Sequence, residues 1–224
     1  PFAANADYGM QNVVAAEDES TIDYSTKYVV LSLEGFTIGQ GFYITPTRMS
    51  YEEIGNVWKQ EGIDIDLSQL TVSQATYAFL KKAGISTIPA GANAYNASDF
   101  YLRYVKGIDK GTVKVPTELL GAYKTHNDGD ALELEEKTGT DLGEFDYTSA
   151  SGWMNTVDNV MGNTGAGSYL VDQDSDLDTH VIRWQFTIAG YGADLGYGFG
   201  EGASYYVTQD KTELYTLYAE HEEE

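Results

Sequence analysis

Several stretches of the chain alternate large apolar and polar side chains, the pattern of strands with one buried face. Residues 28–35 form an apolar run with partial alternation, and residues 181–186 alternate around Arg183 and Gln185. Residues 153–157 form a shorter apolar run. A period of two places successive side chains on opposite faces of a strand. The pattern therefore predicts strands at these three places.

Weaker runs predict further strands. Residues 42–44 follow the first strand and end before Pro46, which indicates a strand pair. Residues 100–105 are aromatic and β-branched, and residues 112–115 alternate, which favours a second pair. The core is expected to resume at residues 142–147.

Two stretches have helical spacing. Ser50 and Glu53 form a capping-box pattern before a short apolar face that ends at Gly62. Residues 71–83 carry a broad apolar stripe followed by Gly84. This second stretch predicts the clearest helix of the chain, packed across the sheet.

Shorter helices are predicted over residues 117–123 and after Asp210, and the acidic residues 127–140 are assigned no element. Residues 190–200 are dense in glycine and aromatic side chains and predict an irregular, packed loop. A chain of 224 residues is of ordinary length for one domain. The predicted fold class is α+β, with a mixed sheet packed on a helix, extra short helices and long loops.

The chain is strongly acidic, with 35 Asp and Glu against 13 Lys and Arg and a net charge of -22. Such a surface repels phosphate groups, so nucleic acids and anionic membranes are not expected as partners. No stretch approaches the about 18 consecutive apolar residues of a membrane-spanning helix, so no membrane insertion is expected. Because the chain has no cysteine, disulfides and thiol chemistry are excluded.

One acidic turn suggests a metal site. It places an aspartate at every second position, namely Asp172, Asp174, Asp176 and Asp178. The spacing partly matches a calcium-binding EF-hand loop, but Leu177 stands where that loop needs glycine and Arg183 where it needs a bidentate glutamate. Two interpretations stay open, a Ca²⁺ site and a solvated acidic turn.

No catalytic signature is complete. The histidines His126, His180 and His221 have no zinc-ligand spacing and are expected at the surface. No G-x-S-x-G motif occurs, and Leu195 stands where a dinucleotide-binding loop would need its third glycine. We therefore expect a non-catalytic domain.

Two glycine-rich loops, residues 158–169 and 190–200, follow predicted strands and form the expected recognition edge. Glycine lets a partner approach the backbone, and aromatic side chains give contact area at low entropic cost. Trp153 and Trp184 also fit the core, whereas the loop tyrosines are expected to be exposed. The candidate ligand-binding residues are Trp153, Asn155, Asp158, Asn159, Tyr169, Tyr191 and Tyr197.

Several short motifs occur in the order found in one known family. They include Gly152-Trp153-Met154, Tyr169-Leu170, Val181-Ile182-Arg183-Trp184, Gly192-Ala193-Asp194-Leu195-Gly196 and, earlier in the chain, Ser32-Leu33-Glu34 and Gly143-Glu144-Phe145-Asp146-Tyr147. Through these motifs residues 28–196 resemble the transcobalamin-like C-terminal domain family of unknown function, which is common in exported proteins of Gram-positive gut bacteria.

The resemblance implies a β-grasp-like sheet clasping a helix, related to the smaller domain that covers one face of cobalamin in vitamin B12 carriers. Cobalamin is therefore one candidate ligand. The chain departs from the family at two points. Asp158-Asn159 stands where the family has Asn-Gly, and Thr179-His180 stands where it has Gly-Asp. Both departures indicate an altered hairpin geometry.

The expected organisation is a flexible acidic lead over residues 1–27, a β-grasp-like domain over residues 28–202 and a strand or helix extension over residues 203–224. The expected function is ligand binding by a secreted or cell-surface protein, with a small molecule or another domain of a surface protein as the partner. A structural or adhesion module, in which any Ca²⁺ only rigidifies the loops, stays as the alternative.

Overall fold

The computed structural model describes residues 21–110, 114–135, 139–174, 176–197 and 209–222. The strands in these ranges are β1 (Tyr28–Glu34), β2 (Phe42–Ser50), β3 (Thr87–Ile88), β4 (Tyr104–Lys106), β5 (Asp141–Gly143), β6 (Gly152–Val157), β7 (Val160–Met161) and β8 (Thr179–Thr187). The α-helices are α1 (Tyr51–Gln60), α2 (Val72–Ala83), α3 (Ala92–Tyr95), α4 (Thr117–His126) and α5 (Thr212–His221). The mixture confirms the predicted α+β class.

The larger sheet has the strand order β2-β1-β8-β6-β7. Strands β1 and β8 run parallel at its centre, and the other neighbours are antiparallel. The first and the last strand of this sheet in chain order are therefore its central pair. The short strands β3, β4 and β5 form a separate antiparallel sheet.

One face of the larger sheet packs against α2. Phe79 of this helix and Trp184 of β8 are 1% and 2% exposed and belong to the same core cluster. The Trp184 indole donates a hydrogen bond to Thr76 Oγ1 at 2.8 Å, which ties the sheet to the helix. The prediction that this helix packs across the sheet is confirmed.

The opposite face is covered by α5. Tyr215 and Ala219 of this helix form a buried cluster with Val30 and Val181 of the sheet. Residues 209–222, which belong to the predicted extension, are therefore an integral layer of the fold. The rest of that extension lies outside the described ranges.

The two principal helices both begin with a capping box, of which the sequence pattern predicts the first. Ser50 and Glu53 bond reciprocally at the start of α1, and Thr71 and Gln74 do so at the start of α2. These bonds satisfy backbone N–H groups that the first turn leaves without partners. Helix α2 ends at Gly84, whose φ of 69° is a left-handed conformation that glycine adopts without strain.

Three strand predictions are corrected. Strand β2 continues past Pro46 to Ser50, because it is an edge strand that pairs only with β1 and its register shifts near the proline. Of residues 100–105, only the last two lie in a strand, since the partner strands β3 and β5 are short. Of residues 112–115, the last two are not in a strand and the first two lie outside the described ranges.

Two further boundaries differ from the prediction. Helix α4 runs to His126, beyond residue 123. Within the predicted loop 190–200, Gly190–Leu195 is a short 3-10 helical segment that is kinked at Tyr191 and Gly192, where φ is 49° and 99°. Residues 198–200 lie outside the described ranges.

The end of the predicted flexible lead packs against the domain. Tyr24 stacks on Tyr51 with ring centroids 6.1 Å apart, and Lys27 is only 8% exposed. The backbone carbonyls of Tyr24 and Lys27 accept hydrogen bonds from the first turn of α1. Residues 1–20 lie outside the described ranges.

Candidate binding site

Strand β6 has a free outer edge. All 6 of its residues pair with β8, but only Thr156 and Val157 pair with β7. Residues 152–155 therefore have no neighbouring strand on their outer side within the described part of the chain. A cavity of about 480 Å³ lies against this edge.

The cavity, called the β6-edge cavity below, is lined by several separate parts of the chain. Trp153, Asn155 and Trp184 line it from the sheet. Residues 100–102 and 161–166 line it from the surrounding loops. Its most exposed aromatic side chains are those of Tyr101, Phe145 and Tyr191, which are 50%, 53% and 58% exposed.

The lining of the β6-edge cavity is uncharged. Of the described residues that border it, none is Asp, Glu, His, Lys or Arg, although the whole chain carries a net charge of -22. A charged ligand would lose its hydration there without gaining a partner of opposite charge. The cavity is therefore suited to an uncharged ligand.

The Asn155 carboxamide is available for hydrogen bonding in the cavity. The indole N–H of Trp153 donates to Leu142 O at 2.8 Å, and that of Trp184 donates to Thr76 Oγ1 at 2.8 Å, so both are already satisfied. The Asn155 side chain makes no hydrogen bond to any of the residues that the structure describes. It can therefore donate to and accept from a ligand.

Two exposed aromatic residues of the cavity are held in a left-handed backbone conformation. The angle φ is 63° at Phe145 and 49° at Tyr191, in a region that costs a non-glycine residue roughly 1–2 kcal/mol. Such strain persists only where the surrounding structure imposes it, and it clusters at ligand clamps and active sites. Here it occurs at two exposed rings that border the same cavity.

The neighbouring glycine helps to hold Tyr191 in place. A Cβ atom on Gly192 would lie 3.0 Å from Met154 Sδ and 3.1 Å from Met161 Cε. The backbone at Gly192 therefore lies directly on β6 and β7, which sets the position of Tyr191 beside the cavity.

A buried carboxyl group fixes the same 3-10 helix to the end of β8. Asp194 accepts hydrogen bonds from the Thr187 hydroxyl and from Ile188 N–H, the latter at 2.8 Å. Thr187 Oγ1 in turn accepts a hydrogen bond from Gly192 N–H at 2.9 Å. Burial raises the pKa of Asp194 from 3.8 to about 6, against the lowering effect of these hydrogen bonds.

The stability of the protein is expected to depend on Asp194 between about pH 4 and pH 6. Folding favours the protonated carboxyl, so its contribution is largest below the unfolded pKa of 3.8 and is lost as the pH rises through the folded pKa of about 6. Asp194→Asn stays neutral throughout. The free energy of unfolding of the variant minus that of the wild type should therefore rise by on the order of 1–3 kcal/mol across this window.

Urea unfolding of both proteins between about pH 4 and pH 7 measures this difference, in which the other carboxyl groups cancel. A difference that stays constant with pH would contradict the role given to Asp194.

Three of the sequence candidates line the β6-edge cavity, namely Trp153, Asn155 and Tyr191. The two glycine-rich loops meet there, through residues 161–166 of the first and Tyr191 of the second. Trp153 is 4% exposed and borders the cavity, so it belongs to both the core and the candidate site.

Tyr169 borders the first loop without lining the cavity. A Cβ atom on Gly162 would lie 2.6 Å from the Tyr169 ring. The ring therefore packs directly on the backbone just after β7, and Tyr169 positions the loop that lines the cavity.

Tyr197 is buried, not exposed as the sequence predicts. It is 7% exposed, and its hydroxyl donates a hydrogen bond to Asn159 Oδ1 at 3.0 Å. The candidate residues Tyr197 and Asn159 therefore contact each other at the β6–β7 turn, and neither lines the cavity. The ring is buried because the 3-10 helix brings the chain back over the sheet at Gly192, whose carbonyl accepts the Tyr197 N–H.

Asp158 also has a structural role. It lies with Asn159 in the turn between β6 and β7, where φ is 50° and 65° as in a type I′ turn. Its carboxylate lies 2.7 Å from His180 Nδ1 and accepts a hydrogen bond from Val181 N–H at 2.8 Å. His180 is completely buried, so its predicted surface location is wrong. Asp158 binds its Nδ1, while its Nε2 lies 3.4 Å from Asp172 Oδ1 without a hydrogen bond in the part of the chain that the structure describes.

The alternating aspartates do not converge on a metal site. Asp172 pairs with Lys27 Nζ at 2.6 Å, and its other oxygen lies 3.4 Å from His180 Nε2. The other three, Asp174, Asp176 and Asp178, are exposed. No group of three potential metal ligands occurs among the residues that the structure describes. Asp172 therefore belongs to a protein ion pair and the other three carboxylates are exposed to solvent, while the Ca²⁺ site and the solvated turn both stay predictions.

A second, larger cavity of about 780 Å³ lies beside the acidic segment 127–135. Its lining includes Asp130, Glu133 and Glu135, which are exposed. It shares Phe145 with the β6-edge cavity. These acidic side chains make the larger cavity less suited to an uncharged ligand than the β6-edge cavity, whose described lining carries no charge.

The sequence prediction missed two of the three exposed aromatic residues of the site. Tyr101 lies in a stretch whose pattern predicts a strand, and Phe145 lies in one that predicts core. The density of aromatic residues around both positions was the only available signal. Their exposure depends on the neighbouring sheet, and no local pattern encodes it.

Comparisons with the models of known families, with curated proteins and with solved structures find no match for this chain. No helix in the described ranges is long and apolar enough to cross a membrane. Function must therefore be argued from the site and not from the fold.

Proposed function

We propose that the chain is a non-catalytic binding domain of a secreted or cell-surface protein and that it binds an uncharged ligand in the β6-edge cavity. The observation that carries the proposal is the uncharged lining bordered by Phe145 and Tyr191, both exposed and both in a left-handed backbone conformation. Exposed aromatic rings held against a backbone preference are expected where they contact a partner.

The size and chemistry of the cavity agree with this proposal. A volume of about 480 Å³ falls within the roughly 300–1,000 Å³ of small-molecule sites. Such sites combine aromatic and apolar walls with a few polar groups, the part that Asn155 would take here. The surrounding net charge of -22 disfavours anionic ligands further.

The strand order supports a β-grasp-like interpretation of the larger sheet. Numbered along the chain within that sheet, its strands lie in the order 2-1-5-3-4, with the first and last strands parallel at the centre. This arrangement is typical of β-grasp folds, which the resemblance to the transcobalamin-like family implies. Cobalamin is larger than the cavity, so only part of it would enter, and it is included among the test ligands for that reason.

A ligand screen by thermal shift tests the proposal, with cobalamin, cobinamide, neutral sugars and uncharged aromatic compounds as probes. The double variant Phe145→Ala, Tyr191→Ala should keep its fold and weaken the binding of any hit by on the order of 1–3 kcal/mol, or about 5- to 150-fold in Kd. The loss is expected because both rings border the cavity.

The matched control is Tyr218→Ala, which removes an aromatic ring that is 40% exposed on α5 and does not line the cavity. It should bind with wild-type affinity. Full affinity in the double variant, or an equal loss in Tyr218→Ala, would contradict the proposed site.

A further inference from the structure

The outer edge of β6 directs particular backbone groups into the cavity. Asp158 N–H donates to Val181 O at 2.9 Å, in register with the pairing of β6 and β8. Successive residues of an antiparallel strand direct their N–H and C=O groups to opposite sides. The backbone N–H and C=O groups of Met154 therefore point to β8, as the N–H group of Asp158 does. Those of Trp153 and Asn155 point to the free edge.

This edge is closed at both ends and open between them. The Ser151 carbonyl, which faces the same side, accepts a hydrogen bond from Phe145 N–H at 3.2 Å. At the other end, Val157 pairs with Val160 of β7. The outward N–H and C=O groups of the two intervening residues have no hydrogen-bond partner in the part of the chain that the structure describes.

The loop after β7 does not pair with Trp153 and Asn155, because its contacts with Tyr169 and with α2 hold it away from the edge of β6. The Tyr169 ring packs on the backbone of Gly162, immediately after β7. Further along, the Ala166 carbonyl accepts a hydrogen bond from Ser73 N–H of α2 at 2.9 Å. The loop therefore leaves β6 and becomes a wall of the cavity, so the gap is built into the fold.

The unpaired groups restrict what can occupy the cavity. A buried N–H or C=O group without a partner loses the hydrogen bonds that it makes with water and destabilises the complex. A purely apolar ligand would displace water from Trp153 and Asn155 without replacing its hydrogen bonds. An extended peptide replaces them with backbone hydrogen bonds and can place alternate side chains in the pockets on either side, as in strand addition to a sheet edge.

We propose that the ligand of the β6-edge cavity is an extended, uncharged peptide segment that adds to the larger sheet as a strand beside β6. This inference rests on the proposed function, because it concerns the same cavity, and it narrows the ligand to a peptide backbone. The uncharged lining excludes charged side chains from the positions that enter the cavity. The Asn155 carboxamide provides one further contact with the added strand.

The free protein provides the first test, by hydrogen exchange resolved at single amides. The backbone amides of Met154 and Thr156 point to β8 and should exchange slowly. The backbone amides of Trp153 and Asn155 point to the cavity and should exchange rapidly. Slow exchange at all four amides would mean that the edge is already paired, and would overturn the inference.

The second test uses a synthetic pool of acetylated and amidated pentapeptides made only of uncharged residues. The pool should slow the exchange of the Trp153 and Asn155 amides. Asn155→Pro removes the outward N–H and leaves the β8 side of the ladder intact, so it should weaken the binding of the best peptide by about tenfold or more. Asn155→Ala keeps the N–H and is the matched control, which should lose less affinity than the proline variant.

The outcomes separate this inference from the proposed function. If the peptides leave both amides unprotected while an uncharged compound from the ligand screen still binds, the peptide inference is wrong and the proposed function stands. If neither binds, both are wrong. A second copy of the chain is the remaining possible occupant. The protein would then form a dimer in gel filtration, and the Trp153 and Asn155 amides would become protected as the protein concentration rises without any peptide. That result would overturn the inference.

Discussion

Replacing Phe79 by alanine is expected to lower the free energy of unfolding by about 3–5 kcal/mol. Phe79 is 1% exposed in the core cluster between α2 and the larger sheet. The substitution removes a full aromatic ring from a closely packed interior, and the surrounding side chains can only partly fill the space. Chemical denaturation monitored by circular dichroism measures the change.

Phe36→Ala is the matched control. Phe36 is 51% exposed and contacts Phe42 edge to face. Its loss should cost no more than about 1 kcal/mol, as for most partly exposed side chains. Equal costs for the two variants would contradict the assignment of Phe79 to the face between helix and sheet.

Glu34→Ala is the second substitution with a large expected effect. Glu34 is 1% exposed and binds Arg183 through both carboxylate oxygens, at 2.9 and 3.0 Å, while Tyr215 of α5 donates to it at 2.8 Å. Removing the carboxylate leaves a buried guanidinium without its counter-ion. The expected loss is about 3–5 kcal/mol in the free energy of unfolding.

Replacing both charges together should cost much less. The double variant Glu34→Leu, Arg183→Met removes the buried charges as a pair, and such exchanges are often neutral or stabilising. Denaturation of the single and the double variant therefore separates the loss of a contact from the burial of an unpaired charge. A double variant no more stable than Glu34→Ala would show that the ion pair itself stabilises α5 on the sheet.

The local patterns of the sequence predict much of the fold. The capping boxes at Ser50 and Thr71 set the starts of α1 and α2, because the partner lies three residues away and the chemistry is local. The alternation around Trp184 predicts β8 because one face of that strand is buried. Patterns of this kind need no knowledge of the neighbouring elements.

Buried polar residues were not predictable in the same way. His180 looks like a surface residue in the sequence, and it is buried because Asp158 and Asp172 lie on either side of it in space. Tyr197 is buried because the 3-10 helix before it packs on β6. In both cases the partners are distant in sequence, so the tertiary fold and not the local pattern decides burial.

The side chains of Asp158 and His180 lie 2.7 Å apart, although 22 positions separate them in the sequence. The Asp158 carboxylate also accepts a hydrogen bond from Val181 N–H. These contacts join the β6–β7 turn to β8, which the sequence alone does not reveal.

The candidate site is a property of the assembled sheet. Trp153, Asn155 and Tyr191 were predicted because strands and glycine-rich loops meet near them in sequence. The free edge of β6 was not predictable, since it depends on how few residues of β7 pair with it. Tyr101 and Phe145 join the site from another part of the chain for the same reason.

The three indole N–H resonances of the protein test the β6-edge cavity most directly. Trp153 and Trp184 line it, whereas Trp58 is buried away from it and donates to Gln74 O at 2.9 Å. The experiment is a titration of ¹⁵N-labelled protein with the uncharged compound that binds most tightly in the ligand screen. The indole signals of Trp153 and Trp184 should shift until the protein is saturated with ligand, and the indole signal of Trp58 should not shift. Saturable binding that leaves the Trp153 and Trp184 signals unchanged would contradict the account.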